Sequence, residues 1–136
     1  MIKLYNGDCL KVMDDLISKS VKVDCLIADP PYNLIGKIGD IQLFRQNRID
    51  KNDTYTKDSM DFDIDFDQIK WLSRIKKIVK KGGNIIIFND WENMGDIAKE
   101  LRKQNIKVKS LNHWQKINPQ PAEWQRRFVT GREYFL

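Results

Sequence analysis

The sequence predicts an α/β domain of three layers with a mostly parallel sheet. Three observations predict it. Short β-branched runs alternate with stretches whose apolar residues recur every three or four positions. One of those runs, Ile85-Ile86-Ile87-Phe88, is apolar without a break, the pattern of a strand covered on both faces. A chain of 136 residues with 41% hydrophobic content supplies one core, not two, so residues 1–136 read as a single domain.

Each element has its own signal. Residues 2–5 are a short strand candidate, and Asn6-Gly7-Asp8 reads as a turn and helix cap. Leu10, Met13, Leu16 and Ile17 mark one face of a helix. Residues 21–28 read as a buried strand that stops abruptly at Asp29-Pro30-Pro31. Residues 33–65 lack steady periodicity and are rich in Asp, Asn and Lys, which predicts a long loop near the site. From Phe66, the stripe Ile69, Leu72, Ile75, Ile78 and Val79 predicts a helix, with lysines in its last turn and Gly82-Gly83 just past its end. Residues 84–88 form the apolar strand, and Met94, Ile97, Ala98 and Leu101 mark another amphipathic helix. Residues 106–117 read as a longer strand with mixed sides. After an irregular stretch containing Pro119 and Pro121, Tyr134-Phe135-Leu136 begins a last strand that reads as interrupted.

Composition narrows the function classes. No apolar run approaches the ~18 residues of a membrane span, and the first residues lack the apolar core of a secretion signal. Cys9 and Cys25 are too few for a disulfide framework and read as reduced thiols of a cytoplasmic protein. A lone histidine, His113, excludes any site built on two imidazoles. Asp61, Asp63, Asp65 and Asp67 lack the spacing of a calcium loop, so they read as a surface loop with a helix cap, and no metal is expected. The net charge of +5 suits a polyanionic partner. Arg126, Arg127 and Arg132 gather at the basic C-terminal end, either as solvated surface or as phosphate contacts.

The sharpest chemical signal is Asp29-Pro30-Pro31-Tyr32, directly after a strand. Open α/β sheets bind ligands outside the carboxyl ends of their strands. Two prolines stiffen the backbone and lack amide protons, which leaves the Asp29 and Pro30 carbonyls as acceptors. A carboxylate beside a carbonyl matches an exocyclic amino group with its two hydrogens. Tyr32 adds a flat ring suited to stacking on a base. A rigid strand-to-loop turn is the plainer alternative.

In these residues the sequence resembles the amino-group DNA methyltransferases, whose catalytic signature is Asp-Pro-Pro-Tyr after an apolar strand. The segment from Ile2 through Asp8-Cys9-Leu10, then Val23-Asp24-Cys25-Leu26-Ile27-Ala28, is similar to the opening of the family's circularly permuted branch. Lys80-Lys81-Gly82-Gly83-Asn84 with the following isoleucines, and Trp114 through Pro121, resemble what comes next. The resemblance covers nearly the whole chain. It implies a Rossmann-like domain that uses S-adenosylmethionine to methylate DNA at adenine N6 or cytosine N4, in a restriction-modification setting. The aspartate form of the signature leans toward adenine. It further implies that Asp29 and the Pro30 carbonyl hold the flipped base's amino group, with Pro31 stiffening the loop and Tyr32 stacking. Asp8, with Cys9 beside it, falls where the family receives the cofactor's adenine, and Asp29 also borders the cofactor. Asp8 reads equally well as a helix N-cap, worth ~1 kcal/mol.

The resemblance has a gap. The family's glycine-rich cofactor segment, Phe-x-Gly-x-Gly, has no counterpart among the seven glycines. The expected fold is therefore incomplete, a catalytic half that would need a complementary chain carrying that segment. The alternatives are a non-catalytic nucleic-acid- or partner-binding remnant of the same fold, and an unrelated nucleotide-binding domain.

Overall fold

The computed structural model describes residues 1–33, 66–117 and 131–136. Helix α1, Cys9–Ser18, forms where the apolar spacing places it, and Asp8 starts it: its Oδ1 accepts from the Lys11 amide at 3.0 Å. Strand β1 is Val23–Ala28. A 3-10 turn at Leu72–Arg74 runs into a single helical turn, α2, at Ile75–Ile78. Strand β2 is Val79–Asn89, and helix α3 is Trp91–Lys103, capped by the Asp90 side chain. Strands β3, Asn112–Gln115, and β4, Arg132–Phe135, complete the described elements.

The sheet order is β1-β2-β4-β3. β1 pairs parallel to β2, while β4 lies antiparallel between β2 and β3. Three of the four strands thus point one way, joined by helical crossovers, and β4 alone is reversed. The α/β fold read from the sequence holds. Leu26 and Ala28 pair in register with Ile85 and Ile87 on one face. That face meets Leu10, Leu72, Ile75, Ile97 and Leu101 in one apolar cluster, and Leu72, Ile75, Ile87 and Ile97 are fully buried there. All four residues marked for α3 (Met94, Ile97, Ala98 and Leu101) are buried.

Four expectations need correction. Residues 2–5 are not a strand: Ile2 and Leu4 stand exposed, and no described strand lies alongside to supply ladder bonds. Strand β1 is not buried on both sides; among the described strands it lies at the sheet's edge, and Cys25 and Ile27 are exposed, Ile27 by 69%. The predicted helix stops at Ile78, and Gly82-Gly83 lie inside β2. Val79 pairs with Val23 and draws the chain into the sheet early, and an irregularity absorbs the extra residues, because the next pair is Cys25 with Asn84. Gly82 takes the left-handed φ of 85° there. Residues 106–111 are not part of β3, since Ile106 and Val108 pack against the core instead.

Among the described residues, no helix is long and apolar enough to cross a membrane. No cluster of three or more His, Cys, Asp or Glu suited to a metal occurs among them either.

Candidate active site at the carboxyl end of the sheet

Ala28 and Ile87 are register partners, so β1 and β2 leave the sheet at the same end. Beyond them Asp29-Pro30-Pro31-Tyr32 faces Asn89-Asp90 and the first turn of α3. Asp29 is exposed, and the next three residues are partly buried. The Tyr32 hydroxyl donates to Asp29 Oδ1 at 2.5 Å. Burial, that bond and the negative charges of Asp29, Glu133 and Asp90 hold the phenol well above the usual tyrosine range. Tyr32 is therefore a protonated donor, and it orients one carboxylate oxygen while the other accepts no hydrogen bond among the described residues.

Side-chain amides hold the loop by its backbone. Asn89 is 1% exposed, and its Nδ2 donates to Gln68 Oε1 at 2.8 Å. Gln68 Nε2 in turn donates to the Pro31 carbonyl. Asn93 Nδ2 donates to the Tyr32 carbonyl at 2.9 Å and to Asn89 Oδ1 at 2.6 Å. The Asp90 amide donates to the same Asn89 oxygen at 2.9 Å. Just after the loop, Asn33 exchanges two bonds with the Phe66 backbone, at 2.6 and 2.8 Å. Residues 33 and 66 are thereby stitched together beside the site. The long loop expected over residues 33–65 lies, from residue 34 onward, outside the described residues, as do Asp61, Asp63 and Asp65. The Pro31 and Tyr32 carbonyls are tethered, whereas the Pro30 carbonyl accepts no hydrogen bond among the described residues, as an acceptor for a ligand requires.

The corner is open. A groove of about 520 Å3 runs from α1 along the edge of β1 to the loop, and Cys9, Met13, Ile27, Asp29, Pro30 and Pro31 line it. Its apolar walls and single carboxylate fit a flat heterocycle with an amino edge, such as the adenine and sulfonium end of S-adenosylmethionine. Cys9 and Asp29 thus share one cavity, while Asp8 stands at the same helix end engaged as the α1 cap. Arg132 lies at the same end of the sheet, because its neighbour Tyr134 pairs with Asn89. It is exposed, and its Nε donates to Gln115 at 3.2 Å. Arg126 and Arg127 lie outside the described residues.

Gln68, Asn89, Asn93 and Asn33 did not stand out in the sequence. The signal for Asn89 was available: an amide closing an otherwise apolar strand at the end where ligands bind.

A family model described as DNA methylase, covering the N6/N4 amino class, matches residues 23–136. The chain belongs to the N6/N4 DNA methylase family. The type II methyltransferase M2.MboI of Moraxella bovis is 26% identical over 138 aligned residues, taking in 98% of this chain and 48% of that protein. M.BamHI of Bacillus amyloliquefaciens, another type II methyltransferase of the restriction-modification world, is 32% identical over 87 residues, 64% of this chain and 17% of that protein. The crystal structure of the M1.HpyAVI–SAM complex superposes with a TM-score of 0.69 at 25% identity, across 99% of this chain and 52% of that one. A second crystal structure of M1.HpyAVI also gives a TM-score of 0.69, at 27% identity, across 99% of this chain and 53% of that one. The family's cofactor is S-adenosylmethionine, and its fold is the Rossmann-like one. The chain spans about half the length of M2.MboI and of M1.HpyAVI.

Proposed function

We propose that this chain carries the base-binding half of a DNA methyltransferase acting on the exocyclic amino group of a flipped base, adenine N6. The observation that carries the reading is the pair of acceptors beside the groove: an exposed Asp29 carboxylate and an untethered Pro30 carbonyl on a loop pinned elsewhere by amides.

An exocyclic amino nitrogen is a poor nucleophile because its lone pair is delocalised into the ring. The two acceptors take hydrogen bonds from its two N–H groups, favour the pyramidal nitrogen and stabilise the positive charge that develops as it attacks; the methylated nitrogen then gives up one proton through Asp29 to solvent. Tyr32 holds Asp29 through Oδ1, which leaves Oδ2 for the amino group, and its ring stacks on the base. When bound, S-adenosylmethionine supplies an electrophilic methyl on its sulfonium. Asp8 and Cys9 at the start of α1 and Asp29 at the far end of the groove would hold it. The remaining polar contacts would come from a glycine-rich segment outside residues 1–136, on a continuation of the chain or on a complementary polypeptide. Arg132, with Arg126 and Arg127, contacts DNA phosphates, and the protein works in the cytoplasm.

The test uses the chain reconstituted with such a complementary polypeptide and labelled S-adenosylmethionine. Asp29→Ala is expected to lower methyl transfer by about a hundredfold or more with an unchanged circular-dichroism spectrum, and retained transfer would remove Asp29 from the reaction. Nucleoside analysis of the product DNA should show N6-methyladenine; N4-methylcytosine would reassign the base. Calorimetric titration of the cofactor into residues 1–136 alone should show weak binding or none, and micromolar affinity would contradict the need for that glycine-rich segment.

A further inference from the structure

The carboxamides that grip the loop after β1 have a direction, and the backbone forces it. The Asp90 amide and Asn93 Nδ2 both donate to Asn89 Oδ1, at 2.9 and 2.6 Å. A backbone N–H can only donate, so the Asn89 oxygen must lie on that side and its Nδ2 on the other. There Nδ2 meets Gln68 Oε1 at 2.8 Å. That leaves Gln68 Nε2 facing the Pro31 carbonyl, which can only accept, and the amide donates to it. Reversing Asn89 would set donor against donor at Asp90; reversing Gln68 would set acceptor against acceptor at Pro31. Asn93 completes the circuit by donating to the Tyr32 carbonyl at 2.9 Å. Of the carbonyls of residues 30–32, Pro30's alone accepts no hydrogen bond among the described residues.

The grip on Pro31 is felt one residue earlier. The Pro31 ring locks its φ, so a single soft torsion, the Pro31 ψ, separates the peptide bearing the Pro30 carbonyl from the one bearing the Pro31 carbonyl. Pro30 itself precedes a proline, which narrows its own ψ. We infer that Gln68 is a positioning residue for the proposed methyl transfer: by holding the Pro31 carbonyl, with its polarity set by Asn89, it aims the Pro30 carbonyl at the substrate's amino group. The inference rests on that reading of the site and names what orients its second acceptor. The oxygen and the nitrogen of the Gln68 amide are both engaged within the protein, so the residue acts through the loop and not on the base. An amide is needed at this position, since an ionised carboxylate would turn oxygen toward oxygen at Pro31.

Gln68→Glu tests it in the reconstituted protein, because a carboxyl imitates the amide only when protonated. Its O–H then donates to the Pro31 carbonyl while its other oxygen accepts from Asn89 Nδ2. In alkaline buffer kcat should fall about tenfold or more, with KM for S-adenosylmethionine unchanged. It should recover as pH falls through the pKa of the introduced carboxyl. The unaltered protein, run alongside, accounts for titration of Asp29, Tyr32, Asp67, Lys70 and Asp90 nearby. The NMR signal of an isotope-labelled Pro31 carbonyl, which requires no transfer, should shift in the variant and return with the same midpoint. Gln68→Met, close to glutamine in volume, should show the loss without the recovery, and it decides the matter if the carboxyl variant does not fold. Unchanged kcat in Gln68→Met, a loss in Gln68→Glu that ignores pH, or a Pro31 signal that never moves would each overturn the inference. No transfer by the unaltered protein would instead overturn the methyltransferase reading, and the carbonyl signal would still decide the role of Gln68.

Discussion

Asp29 has two oxygens, and the Tyr32 phenol occupies Oδ1 at 2.5 Å. The phenol is partly buried among the carboxylates of Asp29, Asp90 and Glu133, so ionising it would place like charges together. Its folded pKa is raised, so the neutral form's contribution to stability is complete below the ordinary value of 10.0 and disappears only as pH rises through the higher folded value. Spectrophotometric titration should therefore show a phenol whose ionisation lags behind the ordinary value of 10.0. Tyr32→Phe should abolish that lag, and a lag that survives the substitution would place the perturbed phenol elsewhere. At this scale the sequence was most informative where chemistry and backbone rigidity coincide, in Asp29-Pro30-Pro31-Tyr32. It said little about the amides that aim the loop, because Gln68, Asn89 and Asn93 are separated along the chain and meet only through the fold.

Those amides act between elements, linking the end of β2, the start of α3 and the turn before Leu72 to the loop after β1. Removing Asn89 leaves the Gln68 and Asn93 amides with lost partners in a partly buried place, at a cost of about 1–3 kcal/mol. Asn89→Ala should lower the urea midpoint accordingly. It should also speed hydrogen exchange at Tyr32 and Asn33 more than in α3, a local loosening that simple loss of packing would not produce. The irregular start of β2 makes a second prediction. A Cβ on Gly83 would sit 2.8 Å from the Asp24 carbonyl and 2.7 Å from Val79 Cγ1. On Gly82 it would meet nothing within 4 Å, and only its φ of +85° is costly there. Gly83→Ala should therefore destabilise by about 1–3 kcal/mol and Gly82→Ala by about 1 kcal/mol, and equal midpoints would refute the close approach. Helices α1 and α3 were legible from period alone, and so was the end of the chain as a strand. The run from Phe66 to Gly83 was not, because its lysines and glycines fit a helix end locally while pairing of Val79 with Val23 decides the outcome.

Across the whole molecule, α1 is held lightly: none of its residues is buried, although its first turn carries Cys9 at the edge of the groove. Its firmest polar tie is Asp14, whose two oxygens accept from Arg74 Nε and Nη2 at 2.7 and 2.8 Å across sixty positions of sequence. The guanidinium lowers the Asp14 carboxyl below its ordinary value of 3.8, and Arg74 is raised in return. With a depressed folded pKa, the stabilisation is complete above 3.8 and is lost as pH falls through the lower folded value. Acidification toward pH 3 should therefore release α1 before the sheet core, whose buried members Leu72, Ile75, Ile87 and Ile97 carry no charge. Hydrogen exchange followed from neutral to acidic pH should show protection fading first in Cys9–Ser18. Asp14→Asn should show the same loosening of α1 already at neutral pH and much less further change on acidification. If α1 and β2 lose protection together in both proteins, the pair does not set the helix's attachment. The groove would then keep its shape in acid as long as the sheet does.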